Sequence, residues 1–225
     1  MDKTGMFVED NGKLVEKQIS IEEVKEKYKS NILQMYPEYF FKKRKKTRGW
    51  QNEVGERIQQ QFNIKSAIDF GCAQGYYLEG LHNRGCVVLG LEYAYKNIEP
   101  FVPESINHFI LEADIQILNY YGTADLVMSI EVAEHLLPEN SETYVKNICM
   151  CSPELILFSA AGPNQNGLGH INTRPIQDWL YMFDCNNYIF SERLTSEFRN
   201  IFKTLTTKNK YNKMLSRHVI GLEKK

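Results

Sequence analysis

Long apolar runs are missing from this chain: nowhere in its 225 residues is there a stretch approaching the ~18 apolar residues that a membrane-spanning helix needs. An excess of either charge is missing too. The 27 Lys and Arg are balanced by 28 Asp and Glu, so a formal charge of −1 provides no general attraction for nucleic acid or an anionic membrane surface. Cysteine is sparse, and the five present (Cys72, Cys86, Cys149, Cys151 and Cys185) form an odd set without a C-x-x-C pair. That pattern argues against a disulfide framework or a structural zinc site, and reduced thiols are the expectation. Cys149 and Cys151 are too close together for the usual pair of zinc ligands. The opening residues, Met1-Asp-Lys-Thr-Gly-Met-Phe-Val-Glu-Asp10, contain no apolar signal core, so a cytoplasmic location is expected. Internal repeats and low-complexity tracts are also absent.

What is present suits one globular unit, since 43% of the residues are apolar and this length can bury a sizeable core. Ser20-Ile-Glu-Glu23 has the form of a capping box. Ile21, Val24, Tyr28, Ile32 and Met35 then follow helical spacing up to Pro37. Trp50, Val54, Ile58 and Phe62 predict a second helix, so residues 1–62 read as an N-terminal helical segment and lid, and 63–225 as the main domain. The basic run from Lys42 to Arg48 lies between the two helices, beside Phe40 and Phe41. It can be a phosphate contact or a solvated connector, and the neutral overall balance favours the connector.

From residue 66 the rhythm changes to short apolar strands: Ala67–Phe70, Val87–Leu91, His108–Leu111, Leu126–Ile130 and Leu155–Phe158. Helical or turn segments separate most of them, which argues for βαβ units and a mostly parallel sheet with helices on both faces. Residues 160–172 hold three glycines, a proline and three asparagines and predict an exposed loop. Pro175 suits the first turn of a helix through Trp179 and Met182. A helix over Glu197–Leu205 and strands at Tyr188–Phe190 and His218–Leu222 complete a set of seven strands.

The segment Ser66-Ala-Ile-Asp69-Phe-Gly71-Cys-Ala73-Gln-Gly75-Tyr76-Tyr77 runs from a strand through a glycine-rich turn into a helix. Gly71 and Gly75 let a ligand approach the backbone at the strand's carboxyl end, and the helix start beyond favours an electronegative group. Asp69 can meet an ammonium there. About twenty residues on, Glu92 ends the next strand and can accept both hydroxyls of a ribose. These features alone indicate an adenosine-like ligand.

The run Ile-Asp69-Phe-Gly71-Cys-Ala73-Gln-Gly75 resembles motif I of the class I S-adenosylmethionine-dependent methyltransferases, with Ala73 in place of the middle glycine. The spacing to Glu92 is similar to that of the family's ribose-binding acid. Leu111-Glu-Ala-Asp114-Ile resembles its adenine-binding acidic position. Asp125-Leu-Val-Met-Ser-Ile-Glu131-Val-Ala-Glu134-His135 resembles the segment after the fourth strand in small-molecule O- and C-methyltransferases. The resemblance covers residues 66 to 137. It implies a Rossmann-like α/β fold with seven strands, the last antiparallel and inserted between the fifth and sixth. It also implies S-adenosyl-L-methionine as cofactor, held by Asp69, Gly71, Ala73, Gly75, Tyr76, Glu92, Asp114 and Glu131. An NAD dehydrogenase would need a clean G-x-G-x-x-G and a second nucleotide-binding half, and both are lacking.

The sulfonium methyl is already activated, so the protein has to align it and remove a proton from the acceptor. Tyr76 or Tyr77 can set a ring against the sulfonium. His135 and His170 follow the fourth and fifth strands, on one sheet edge, and are the candidate general bases, with His170 favoured for its flexible loop. Gly169-His170-Ile-Asn172, with Pro175 and Trp179, resembles a pattern in bacterial methyltransferases, some of glycan pathways. The set Glu131, Glu134, His135 and His170 can also gather a divalent metal, but spacing does not fix their mutual geometry and no metal is assigned. The expected partner is a small polar or nucleotide-linked acceptor, for instance a capsule precursor, methylated on oxygen. RNA methylation through Lys42–Arg48 is the alternative, weakened by Ser129-Ile-Glu-Val where base methylation commonly uses an N-P-P-Y or D-P-P-Y tetrapeptide. A catalytically inert cofactor-binding regulator is the other.

Overall fold

The computed structural model describes residues 3–10, 13–31 and 36–225. The chain opens with an antiparallel hairpin, β1 (Lys3–Asp10) and β2 (Lys13–Ser20), in register from Lys3↔Ser20 to Asp10↔Lys13. Sequence periodicity had shown only helices in the first 62 residues. Helix α1 (Ile21–Asn31) follows at once, and the Ser20 hydroxyl accepts the Glu23 amide at 3.1 Å, as its capping signature predicts. Ile32 and Met35, expected on the same stripe, lie outside the described residues. Helices α2 (Glu38–Arg44) and α3 (Arg48–Phe62) come next, and α3 buries Trp50, Val54 and Ile58.

The main sheet contains β3 (Ser66–Phe70), β4 (Val87–Glu92), β5 (Ile110–Glu112), β6 (Leu126–Ile130), β7 (Leu155–Ser159), β8 (Tyr188–Ser191) and β9 (Ile220–Lys224). Their spatial order is β5-β4-β3-β6-β7-β9-β8. The first five are parallel, and β9 runs antiparallel between β7 and β8. This is the Rossmann-like arrangement implied by the motifs. The helices α4 (Tyr76–Asn83), α5 (Tyr95–Ile98), α6 (Ser141–Met150), α7 (Ile176–Cys185), α8 (Glu192–Thr204) and α9 (Lys210–His218) join the strands.

Two apolar clusters cover the two faces of the sheet. One packs Trp50, Val54 and Ile58 of α3 with Leu78, Leu81 and Phe198, and the other packs Phe70, Tyr144, Phe158, Trp179 and Phe183. A bidentate pair from Arg48 to the buried Glu79 (2.5 and 2.9 Å) fastens α3 onto α4, so Arg48 of the basic run is a structural residue. A third, smaller cluster of Met6, Val24, Leu137 and Ile171 anchors the N-terminal hairpin and α1.

Several boundaries differ from expectation, among them α8, which starts at Glu192 and not at Glu197. Residues 104–109 form a 3₁₀ segment, so β5 starts at Ile110 and not at His108. Pro175 is the cap of α7, with non-helical backbone (φ −54°, ψ 143°), and the helix begins one residue later. His218 closes α9, whose Asn209–Asn212 capping box fixes its start, and β9 begins at Ile220. Strand β3 is flanked by β4 and β6, so the order reverses there. In an open α/β sheet the ligand crevice lies at the carboxyl ends of the strands around that reversal.

Candidate functional site

Gly71, Ala73 and Gly75 leave β3 through three left-handed conformations, with φ of 78°, 47° and 71°. A Cβ at Gly71 would come within 2.6 Å of the Val132 side chain, so the turn and the loop after β6 approach as closely as glycine allows. Ala73 holds the same left-handed conformation with a side chain. Its amide donates to Glu92 at 2.9 Å, and the Ala94 amide donates to the other Glu92 oxygen at 2.8 Å. The two bonds fix the carboxylate at the end of β4. Burial pushes the Glu92 carboxyl above its ordinary range, and the two amides oppose that shift.

Two adjoining hollows meet at Gly71, Ala73, Arg44 and Ile130. The larger, about 780 Å³ out to its open mouth, lies between Glu92, Asp114, Ile115, Glu131, His135 and Leu136, and Tyr36, Phe40 and Phe41 border it from the N-terminal segment. The smaller, about 380 Å³, is lined by Asp69, Gln74, Tyr76, Tyr77 and Tyr211. Together they have the size and the few convergent polar groups of a small-ligand site. Asp69 is buried and its carboxyl is pushed up to about 8, first by burial and then by the charge of Glu92. Asp114 accepts the Gln116 amide at 3.0 Å. Glu131, at φ 56°, accepts Ser159 Oγ at 2.9 Å and Gln165 Nε2 at 3.2 Å. The Tyr76 hydroxyl donates to the Phe101 carbonyl at 3.4 Å, and Gly75 lies behind the turn, where a Cβ would strike Ile106.

Arg44 was hidden in the basic run. Lys42, Lys43, Lys45 and Lys46 are exposed, whereas Arg44 reaches the junction of the two hollows with its Nε buried and unpartnered. Asp69 and Arg44 therefore line one hollow with an acidic and a basic side chain, which suits an amino-acid zwitterion. Glu92 suits vicinal hydroxyls, and the Asp114–Ile115 corner a flat base. This donor and acceptor set, at a turn whose Gly71 and Ala73 line both hollows, fits S-adenosylmethionine.

The two candidate histidines meet, with ring centroids 4.9 Å apart and planes at 81°. His135 lines the cleft, and its Nδ1 lies 2.9 Å from the Tyr36 hydroxyl and 3.2 Å from the Gly169 carbonyl. His170 stands behind it, its Nδ1 2.9 Å from the Gln165 carbonyl and its Nε2 3.9 Å from the buried Glu134. Burial, followed by His170, lowers His135 to about 3, and burial also lowers His170. Burial and then the Glu131 charge hold the Glu134 carboxyl well above its usual range.

The glycine-rich loop is held by the hairpin that periodicity did not show. Thr4 Oγ1 donates to the Gly167 carbonyl at 2.6 Å and accepts the His170 amide at 3.1 Å, and the Gly169 amide donates to the Gly5 carbonyl at 2.8 Å. Gly167 lies directly against the His170 ring, which a Cβ there would overlap at 2.1 Å.

Known structures of the same architecture include an O-methyltransferase from a trans-AT PKS multienzyme of Brevibacillus brevis, in complex with S-adenosyl-L-homocysteine. It is 15% identical (TM-score 0.54), covering 78% of this chain and 71% of that one. The magnesium protoporphyrin IX methyltransferase of Synechocystis PCC 6803 is 13% identical (TM-score 0.56), covering 80% and 84%. The 1,6-didemethyltoxoflavin-N1-methyltransferase of Burkholderia thailandensis is 10% identical (TM-score 0.58), covering 99% and 95%. At such identities the likeness is one of fold. No curated protein matches the chain significantly in sequence. Among the described residues, no helix is long and apolar enough to cross a membrane. Residues 21–204 match the methyltransferase-domain family, and the chain belongs to that family as an S-adenosylmethionine-dependent methyltransferase.

Proposed function

We propose that the protein methylates an oxygen of a small polar or nucleotide-linked metabolite, with surface-glycan or capsule precursors as the acceptor class. The observation that carries this reading is the meeting of two chemistries at one sheet edge: a zwitterion- and ribose-binding hollow, and a His135–His170 pair beside it. The bound cofactor supplies a methyl group on a sulfonium that needs no further activation. Asp69 receives its ammonium, Arg44 its carboxylate, Glu92 its ribose hydroxyls, and Asp114 its adenine amino group. Gly71 and Ala73 bring the turn's backbone to the cofactor, and Gly75 lets the turn close behind them. Tyr76 sets a ring by the methionyl chain, and Glu131 closes the floor beside the reacting carbon.

His135 lines the hollow on the acceptor side, and the pair it makes with His170 is assigned to promote loss of the acceptor proton. Tyr36, Phe40 and Phe41 border the larger hollow from the N-terminal segment, which acts as a lid that excludes water. A cleft of this size, contained within one chain, suits a small acceptor. The Gly169-His170-Ile-Asn172 pattern with Pro175 and Trp179 supports the glycan-precursor class. The balanced formal charge of the chain also suits a cytoplasmic enzyme.

Two measurements test this. Calorimetric titration with S-adenosylhomocysteine should show one site per chain, and Glu92→Ala should weaken it at least tenfold, since charge-assisted bonds contribute about 1.5–3 kcal/mol each. Methyl transfer from labelled cofactor to a panel of sugar nucleotides and hydroxylated metabolites should yield an O-methyl product. A product methylated only on nitrogen, or only on RNA, would replace the proposal.

A further inference from the structure

Glu134, His135 and His170 converge, each offering one donor atom within 4.8 Å of the others. Glu134 is 0% exposed, and no side chain hydrogen-bonds its carboxylate oxygens, which have only the Glu134 and Ala161 backbone amides near them. Folded proteins hold a buried carboxylate by hydrogen bonds, a counter-charge or a metal. Among the described residues, the group within ion-pair range of Glu134 is His170, whose Nε2 stands 3.9 Å from Oε1. That distance is too long for a hydrogen bond. It suits two ligands of a shared ion, since donors about 2.0–2.2 Å from one metal stand roughly 3–4 Å apart.

The two imidazoles are oriented for the same purpose. A carbonyl can only accept, so the Gln165 carbonyl at 2.9 Å assigns the His170 proton to Nδ1, whereas His135 Nδ1 faces both the Tyr36 hydroxyl at 2.9 Å and the Gly169 carbonyl at 3.2 Å. His170 is thereby left with a free lone pair on Nε2, and His135 has the same when its Nδ1 donates to Gly169. A backbone carbonyl behind the far ring nitrogen is the usual way a metal-ligating histidine is held. Both carbonyls belong to one loop, and Thr4 and Gly5 of the hairpin fasten that loop. Glu131 stays outside the set, its oxygens taken by Ser159 and Gln165.

We propose that Glu134, His135 and His170 bind one first-row divalent metal ion beside the acceptor end of the cleft. Two imidazole nitrogens and one carboxylate suit Mn²⁺, Fe²⁺, Co²⁺ or Zn²⁺, whereas Ca²⁺ and Mg²⁺ favour oxygen ligands throughout. Three protein ligands leave coordination positions open, and His135 lines the cleft, which brings those positions to the acceptor. An acceptor hydroxyl bound there loses its proton to water more readily. Its oxygen then takes the methyl group, the electron pair of the broken carbon–sulfur bond returns to sulfur, and the products are a methyl ether, a thioether and one proton. This step rests on the O-methyltransferase reading above, but the metal site itself does not.

The test is titration of the metal-stripped full chain with Mn²⁺ and with Co²⁺, in the presence of saturating S-adenosylhomocysteine. One ion per chain is expected, with affinity at least tenfold lower in His135→Ala and His170→Ala and with S-adenosylhomocysteine affinity within twofold of the parent. Absence of saturable binding, or equal binding by both variants, would overturn the site. If either variant fails to fold, the unaltered protein decides: substoichiometric Mn²⁺ should broaden the imidazole NMR signals of His135 and His170 before those of the other histidines, and uniform broadening refutes the site. S-adenosylhomocysteine affinity separates the two failures. Intact cofactor binding without metal binding sinks the metal site alone, whereas lost cofactor binding sinks the cofactor reading.

Discussion

Thr4 and His170, 166 positions apart in the chain, are joined by a 3.1 Å hydrogen bond from the His170 amide to the Thr4 hydroxyl, which itself donates to Gly167. The first strand thereby sets the loop that presents a histidine to the reacting edge. Replacing the hydroxyl by a methyl in Thr4→Val removes two bonds, each contributing about 0.5–1.5 kcal/mol. Turnover is expected to fall about tenfold, with S-adenosylhomocysteine affinity unchanged within twofold. Steady-state kinetics and calorimetry on the same preparation check this. An equal loss in both would mean that the hairpin supports the whole domain and not the loop.

Much of the fold was legible because its signals are local. Strands β3, β4, β6 and β7 are short apolar runs bounded by turns, and their ends fall within one or two residues of expectation. Asp69, Gly71 and Glu92 were legible because twenty residues of spacing connect two adjacent strands. The hairpin was not, since its role depends on pairing with residues beyond 160; the Asn11-Gly12 dipeptide was its one strong local signal. Arg44 was masked by four neighbouring lysines of like charge, and only the turn of α2 shows which one points inward. His170 was expected at the acceptor, but the face that a glycine-rich loop presents is a tertiary property, and His135 stands in front of it. Helix α9 escaped notice because its apolar face is narrow: Leu215 is buried, whereas Tyr211 and Met214 are only partly so.

Ala73 stands in left-handed backbone, at φ 47°, where the related motif has glycine. An L-residue there costs roughly 1–2 kcal/mol, and part of that gain on mutation is offset by the greater freedom of glycine when unfolded. Ala73→Gly should therefore stabilise the protein by up to about 1 kcal/mol, a rise in Tm of roughly 2–4 °C. The amide that donates to Glu92 is kept, so cofactor affinity should not fall. Thermal unfolding checks this, and a lower Tm would show that the Ala73 methyl contributes packing that outweighs the strain.

Asp69 links cofactor binding to pH. Its folded-state pKa of about 8 lies above the unfolded value, because burial and the Glu92 charge disfavour the carboxylate. Between the ordinary Asp range and pH 8 the folded, cofactor-free protein binds more protons than the unfolded chain, so this group's contribution to stability falls as pH rises through that window. An ammonium ligand needs the ionised form, so S-adenosylhomocysteine affinity should strengthen from pH 6 to pH 7.5. Asp69→Asn should remove both slopes, raise the cofactor-free Tm at pH 8 above that of the parent, and weaken binding at least tenfold. Parallel melts and titrations at the two pH values decide; a parent protein whose affinity is flat with pH contradicts the assignment.

The basic run separates one inward-facing arginine, Arg44, from four exposed lysines. Arg44 brings a buried, unpartnered Nε to the junction of the two hollows, where the cofactor carboxylate is assigned. A guanidinium–carboxylate contact contributes about 1.5–3 kcal/mol, so Arg44→Ala should weaken S-adenosylhomocysteine binding by tenfold or more. Arg44→Lys should recover only part of it, since an ammonium cannot reproduce the planar fork. Lys42, Lys43, Lys45 and Lys46 are exposed, and replacing all four by Ala should change cofactor affinity less than twofold. If those lysines formed an RNA-binding arm, affinity for RNA would fall steeply with added salt, because neutralised phosphates release their counterions. We expect only weak association at physiological salt, since the charge of the chain is balanced and these lysines do not line the cleft. Tight, salt-sensitive binding of RNA that disappears in the four-lysine variant would reverse that expectation and move the acceptor from a small metabolite to a nucleic acid.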